Sequence, residues 1–251
     1  MRLALLVVVA GCGAQLGTNS NAQQSVDASS NGSNSFPGID APVSSPDAPA
    51  ASACPNGRVV YLSFDGETLT RSATDATQNR AAWIGVATAT VPAFHPNDAN
   101  RTTEIQTIVD GVKSRLAATP ITVVTTRPAT APYVMIVLGG TNQDVGSNYT
   151  YATGDHDCGD GVKSYVGWVS DVPSLSYVPD LIVGTIGWGL GLQGTNDPND
   201  CMCAWANNCS SASGACTLSA SIATTASTGN STCAGENPQN EVAAFSTLFC
   251  Q

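Results

Sequence analysis

The chain is poor in charge, and poorest in basic charge and histidine. Only 11% of its 251 residues are charged, with nine Lys or Arg against 19 Asp or Glu and a net charge of −10. Phosphate binding needs a basic stripe that so few cations cannot supply, so nucleic acid is not expected as a partner. Histidine occurs twice, at His95 and His156, which excludes a zinc site of three imidazoles within one chain. There is no G-x-S-x-G elbow, no P-loop and no dinucleotide-binding glycine pattern, so those routes to hydrolysis and nucleotide chemistry are closed. Internal repeats are missing as well.

The N-terminus carries the first positive signal. Arg2 precedes an apolar run, Leu3 to Ala10. That run is far short of the ~20 residues a spanning helix needs, so residues 1–11 read as an export signal. The string Val9-Ala10-Gly11-Cys12 resembles a bacterial lipobox. The resemblance implies cleavage before Cys12, acylation of that cysteine, and a cell-envelope location anchored by lipid, in an outer membrane. Two or three acyl chains anchor stably where one is marginal. The bland alternative is a plain secretory signal. Residues 13–53 are rich in Ser, Asn, Asp, Ala and Pro, with Phe36 as their one aromatic residue. They cannot bury enough apolar surface to offset ordering entropy and are expected to be a disordered tether. Residues 54–251 are expected to form the folded domain, as a monomer.

Eight cysteines remain after Cys12: Cys54, Cys158, Cys201, Cys203, Cys209, Cys216, Cys233 and Cys250. In an exported domain an even count reads as up to four disulfides, in pairings the sequence leaves open. Six of them lie in 201–251, a Cys-rich subregion where stapling is expected to replace a hydrophobic core. The spacing of Cys201, Cys203, Cys209 and Cys216 is not that of paired zinc ligands.

Within the domain, residues 58–64 read as a strand that turns at Asp65-Gly66. Residues 79–84 read as a short helical piece. Ile105, Ile108, Val109, Val112 and Leu116 recur at helical spacing between 100 and 118, opposite Glu104, Asp110, Lys113 and Arg115, which predicts a long amphipathic helix. Asp98 or Asn100 can cap it and Pro120 stops it. Strands follow over 121–126, 133–138 and 164–169, and 241–249 reads as a short helix with Val242, Phe245, Leu248 and Phe249 inward. This order predicts an α/β (α+β) domain with a twisted mixed sheet and a crossover helix. The polar loop 142–161 holds Asp155, Asp157 and Asp160, whose carboxylates could ligate calcium; the alternative is a solvated turn tied down by Cys158.

The stretch Asp180 to Met202, DLIVGTIGWGLGLQGTNDPNDCM, is a poor helix by propensity, since each interior glycine costs about 1 kcal/mol relative to alanine. It resembles the active-site helix and Met-turn of metzincin (matrixin-like) zinc metallopeptidases. That family's HExxHxxGxxH places two histidines on one helix face and a glutamate beside the metal-bound water. Aligned without gaps, Gly191 falls at the turn glycine and Met202 at the Met-turn. Gly184 and Trp188 stand at the first two histidine positions, Thr185 at the glutamate and Gly194 at the third histidine. VVYLSFDGETLT, the long helix, ITVVTTRP and YVMIVLGGT extend the resemblance, to exported bacterial matrixin-like proteins, over roughly 58–205. It implies a metzincin-like architecture that keeps its cleft and has lost zinc. No cofactor is then expected, and no catalysis; the implied role is a surface binding protein for a peptide or glycan. Trp188 is expected to fill the space of the metal, with Gly184 making room for it. Two alternatives remain: a peptidase using Asp197, Asp200, His156 or the Asp155–Asp160 cluster, and a purely structural envelope lipoprotein.

Overall fold

The computed structural model describes residues 58–206, 209–210, 214–225, 233 and 237–247. The signal segment, Cys12, the tether, Cys54 and residues 248–251 with Cys250 lie outside them. The domain is mixed α/β (α+β), built on one five-stranded sheet. Strand β1 (Val59–Ser63) pairs in parallel with β4 (Thr122–Val124) on one side and β5 (Tyr133–Leu138) on the other. Next come β7 (Val166–Val169), parallel to β5, and the edge strand β6 (Ala152–Gly154), antiparallel to β7.

Every residue of β5 is buried, as expected of a central parallel strand covered on both faces. Its alternation divides the core in two. Val134, Ile136 and Leu138 point to one side with Val60 and Leu62, under the helices α1 (Arg101–Arg115) and α3 (Val178–Gly189). Tyr133, Met135 and Val137 point to the other with Tyr61 and Trp168, under the hairpin of β2 (Glu67–Thr70) and β3 (Thr88–Val91).

The segment between β1 and α1 differs from expectation. Residues 79–84 are not helical; the one helical turn there is 3-10, Ala76–Gln78, capped by Asp75 Oδ1 accepting from Thr77 N at 2.9 Å and ended by Asn79 at φ 51°. The loop 142–161 also gains structure. Thr141 and Asp144 form a capping box that starts α2 (Asn142–Val145), Gly146 ends it at φ 64°, and β6 follows. A strand of three residues owes its existence to its partner β7, which lies beyond the reach of local patterning.

Arg115 was expected on the solvent face of α1. Instead it turns inward and its Nε donates to Asp180 Oδ1 in the first turn of α3, with 7% and 5% of the two side chains exposed. The helices come close enough there that a Cβ on Gly111 would lie 2.6 Å from Pro179 Cγ.

Three disulfides staple the C-terminal part: Cys158–Cys233, Cys201–Cys216 and Cys203–Cys209. A buried polar network accompanies them, and Cys201, Met202, Cys216 and Phe245 join the main hydrophobic cluster. Asp200 Oδ1 accepts from Thr195 Oγ1 at 3.0 Å and Met202 N at 2.8 Å, and its Oδ2 from Ser219 Oγ at 2.9 Å. Glu241 opens α4 (Glu241–Thr247), fully buried beside Phe245, and accepts from Ser219 N and from Gln239 Nε2 at 2.7 Å. Val242, expected inward, is only half-buried.

Burial and the neighbouring Asp200 charge push the Glu241 carboxyl up to about 8. The unfolded chain releases that proton near pH 4.5, so between there and about 8 the native state holds more protons and stability falls as pH rises. The expected loss across this window is a few kcal/mol. Denaturant titrations at pH 5 and pH 9 should show it, and Glu241→Gln should flatten it. A variant as pH-dependent as the wild type would refute the raised Glu241 carboxyl. His95, which burial lowers but Glu104 and Asp171 together raise above its ordinary value, slopes the same way, so the comparison must be with the variant.

Candidate functional site

Helix α3 carries the glycine-rich stretch, and all twelve of its residues are buried. A helix covered on every side cannot be read from amphipathicity, and its glycines mark where neighbours touch its backbone. A Cβ on Gly187 would come to 2.6 Å from Met202 Sδ, and one on Gly189 to 2.6 Å from the Tyr165 ring. Gly167 on β7 receives the methyl of Thr185. After Leu190 the chain turns at Gly191, whose φ of 88° favours glycine. The loop then closes at Met202, fully buried, whose carbonyl accepts from Thr195 N at 3.3 Å and Trp205 N at 3.0 Å.

The four positions assigned to metal ligands and base have distinct surroundings. Thr185 is fully buried and its hydroxyl donates back to Leu181 O at 2.7 Å, which leaves no group able to act on a water. Trp188, 4% exposed, does face the cleft. Its ring packs against His156, with centroids 4.1 Å apart and tilted by 40°, and against Trp205, 4.9 Å apart and nearly parallel at 16°. Gly184 makes room for Trp205 and not for Trp188: a Cβ there would stand 2.5 Å from Trp205 Nε1 and 2.9 Å from Cys201 O. A Cβ on Gly194 would lie 2.6 Å from Ala206 N and from the Trp205 carbonyl. One residue, Trp205, therefore abuts both Gly184 and Gly194 and stacks on Trp188 between them.

Trp205 escaped the sequence reading. Its only local signal was a tryptophan three residues past the Met202 turn, inside the loop that Cys203–Cys209 closes.

His156 forms the third layer of the stack. It is half-buried, hydrogen-bonded to the Gln193 amide at 2.8 Å, and burial lowers its pKa against the opposing backbone bonds of Gly191 and Leu192 and the Asp157 charge. Its metal-ligand neighbours are Cys158 and Cys233, whose sulfurs are joined to each other. The other such cluster among the described residues is His95, Asp98 and Glu104, where His95 Nδ1 is bound to Glu104 Oε2 at 2.8 Å.

The calcium candidates do not converge. Asp155 accepts from Thr74 Oγ1, Asp157 Oδ2 from Val162 N at 2.6 Å, and the fully buried Asp160 pairs with Arg58 and with Lys163 at 2.9 Å. Each carboxylate has its own partner, and together they tie the loop to the domain. Burial, then the Asp157 charge, raise Asp155 although its bond from Thr74 opposes them. Of the catalytic alternatives, Asp197 is exposed and accepts from Asn199 N, while Asp200 belongs to the buried network.

The stack forms part of the wall of a cavity of about 760 Å³, within the range of ligand sites. Edge strand β6 contributes to the lining, with Trp83, Tyr177 and the exposed Tyr149 and Tyr151. No protein-family model matches the chain, and no curated protein matches it either.

Proposed function

We propose that this chain is an exported, lipid-anchored protein whose domain is a non-catalytic relative of the metzincins and serves as a binding module at the cell envelope. One observation supports the reading: Trp188, at one position where the resemblance calls for a zinc ligand, stacks on Trp205, which abuts the glycines Gly184 and Gly194 at the other two. A metallopeptidase needs three metal ligands and a base placed on the metal-bound water. Here the base position is a threonine turned into the core, and the outer ligand positions are closed by the Trp205 loop. Beside the stack the cleft and the free edge of β6 are retained, which is what a domain that has kept binding and dropped hydrolysis would preserve. The lipid anchor rests on the segment ending in Cys12.

The test is metal analysis of the full exported chain together with casein and gelatin cleavage. The expected result is no stoichiometric zinc and no cleavage. One zinc per chain with chelator-sensitive proteolysis would overturn the reading.

A further inference from the structure

We propose that the cleft is a saccharide site that takes a chain of uncharged pyranose units. The proposal deepens the binding-module reading and rests on it.

Aromatic residues are concentrated here beyond what packing requires. The chain has four tryptophans and six tyrosines. Trp83, Trp188, Trp205, Tyr149, Tyr151 and Tyr177 all line this one cavity. Tyr149 and Tyr151 are 60% and 47% exposed, and among the described residues they are two of only four large hydrophobic side chains that stand open to solvent. Rings left bare on a cleft rim mark an interaction surface when they occur together.

The electrostatics narrow the ligand. Among the described residues no Lys or Arg lines the cavity, in a chain of net charge −10. Phosphate, sulfate or carboxylate groups would meet no counter-charge. Cationic ligands would meet a single carboxylate among the described lining residues, Asp155, whose Oδ2 already accepts from Thr74 and whose pKa burial raises. The His156 imidazole is held towards neutrality.

What remains between the rings is neutral hydrogen-bonding capacity, from Ser147, Asn148, Thr150 and Thr153. A pyranose matches this mixture. Its faces carry polarised C–H bonds that pack on the electron-rich face of an aromatic ring, and its hydroxyls point outward to neutral donors and acceptors. A purely apolar ligand would leave the asparagine and threonine groups unpaired, at about 1–3 kcal/mol for each one buried. A peptide added to the sheet would gain its affinity from backbone ladder bonds, and β6 offers an edge of only three residues. The sugar chain is therefore favoured.

The experiment uses the full chain, with binding followed by tryptophan emission and calorimetry. The probes are cellohexaose, xylohexaose, chitohexaose and maltohexaose, beside a sulfated heparin hexasaccharide, a proline-rich peptide and a casein peptide. At least one neutral hexasaccharide should bind below millimolar concentration and shift the emission, since three of the four tryptophans line the cavity. Tyr149→Ala with Tyr151→Ala, at exposed positions that leave the fold intact by circular dichroism, should weaken binding by about tenfold. Tyr→Phe at both should keep most of it.

The proposal fails if no neutral hexasaccharide binds at millimolar concentration, or if the tyrosine variants bind unchanged. Peptide binding abolished by Trp205→Ala, without glycan binding, would keep the module and sink the sugar. Zinc-dependent cleavage would sink the module itself.

Discussion

A chain carrying histidine at both Gly184 and Gly194 is expected to lose stability and to gain no zinc. The resemblance makes this the natural restoration experiment, together with Trp188→His and Thr185→Glu. The geometry argues against it at the first atom of each new side chain. A Cβ at Gly184 meets Trp205 Nε1 at 2.5 Å and the Cys201 carbonyl at 2.9 Å, and a Cβ at Gly194 meets the Trp205–Ala206 backbone at 2.6 Å. Replacing glycine inside a helix recovers up to about 1 kcal/mol of propensity, whereas overpacking a close-packed site costs about 1–3 kcal/mol. The clash wins at Gly184, and Gly194, outside the helix, has no propensity gain to set against it.

The double variant should lose about 2–5 kcal/mol, read as an earlier midpoint in urea. Adding Trp205→Gly to Gly184→His should recover part of the loss. That coupling is the signature of a shared contact and not of two independent defects. Full stability in the double variant with one bound zinc would show that the Trp205 loop is not what closes these positions.

Arg115→Ala is expected to cost about 3–5 kcal/mol, because it strands the buried Asp180 carboxylate. Asp180 would keep only the Cys216 amide, whose N lies 3.3 Å from Oδ1. For a domain of this size the loss corresponds to a fall of about 10 °C in Tm. The pair itself need not be strongly stabilising. Arg115→Met combined with Asp180→Leu, which removes both charges and keeps the volume, should regain most of the loss. If Arg115→Ala unfolds within 2 °C of the wild type (about 0.5 kcal/mol), the pair is not buried in solution.

The Arg115 pair and the Trp205 stack were invisible in the sequence for one reason. Each joins residues 17 to 65 positions apart, and neither helical spacing nor alternation carries information over that range. At Arg115 the periodicity of α1 even pointed the wrong way, because a charge at the end of a helix can be buried whenever another element supplies its partner. For the polar loop 142–161 composition left a calcium site and a turn tied down by Cys158 both open; in the fold Thr74, Val162, Arg58 and Lys163 engage its aspartates one by one and Cys158 is joined to Cys233. Trp188 was legible, since its place on the glycine-rich helix followed from the alignment with the zinc-binding pattern. The residue that makes room for a partner was legible only in half: Gly184 announced a close approach, but it was assigned to Trp188 and the ring it admits is Trp205.

By itself the sequence determined what depends on local pattern and composition. The long helix α1 and the buried strand β5 follow from spacing and from an unbroken apolar run; the turn glycine at Gly191 was an expectation of the resemblance. The scarcity of histidine excluded a three-imidazole zinc site before any coordinate was known. Tertiary structure alone decided which cysteines join, which charges are buried and what stands in the cleft. Those outcomes depend on side chains meeting across the fold, where burial, hydrogen-bond satisfaction and steric fit are properties of pairs and not of positions. The five glycines from 184 to 194 show the division most clearly. As a sequence they weaken a helix, and in the fold four of them, Gly184, Gly187, Gly189 and Gly194, are the points at which Trp205, Met202 and Tyr165 come to rest, while Gly191 makes the turn.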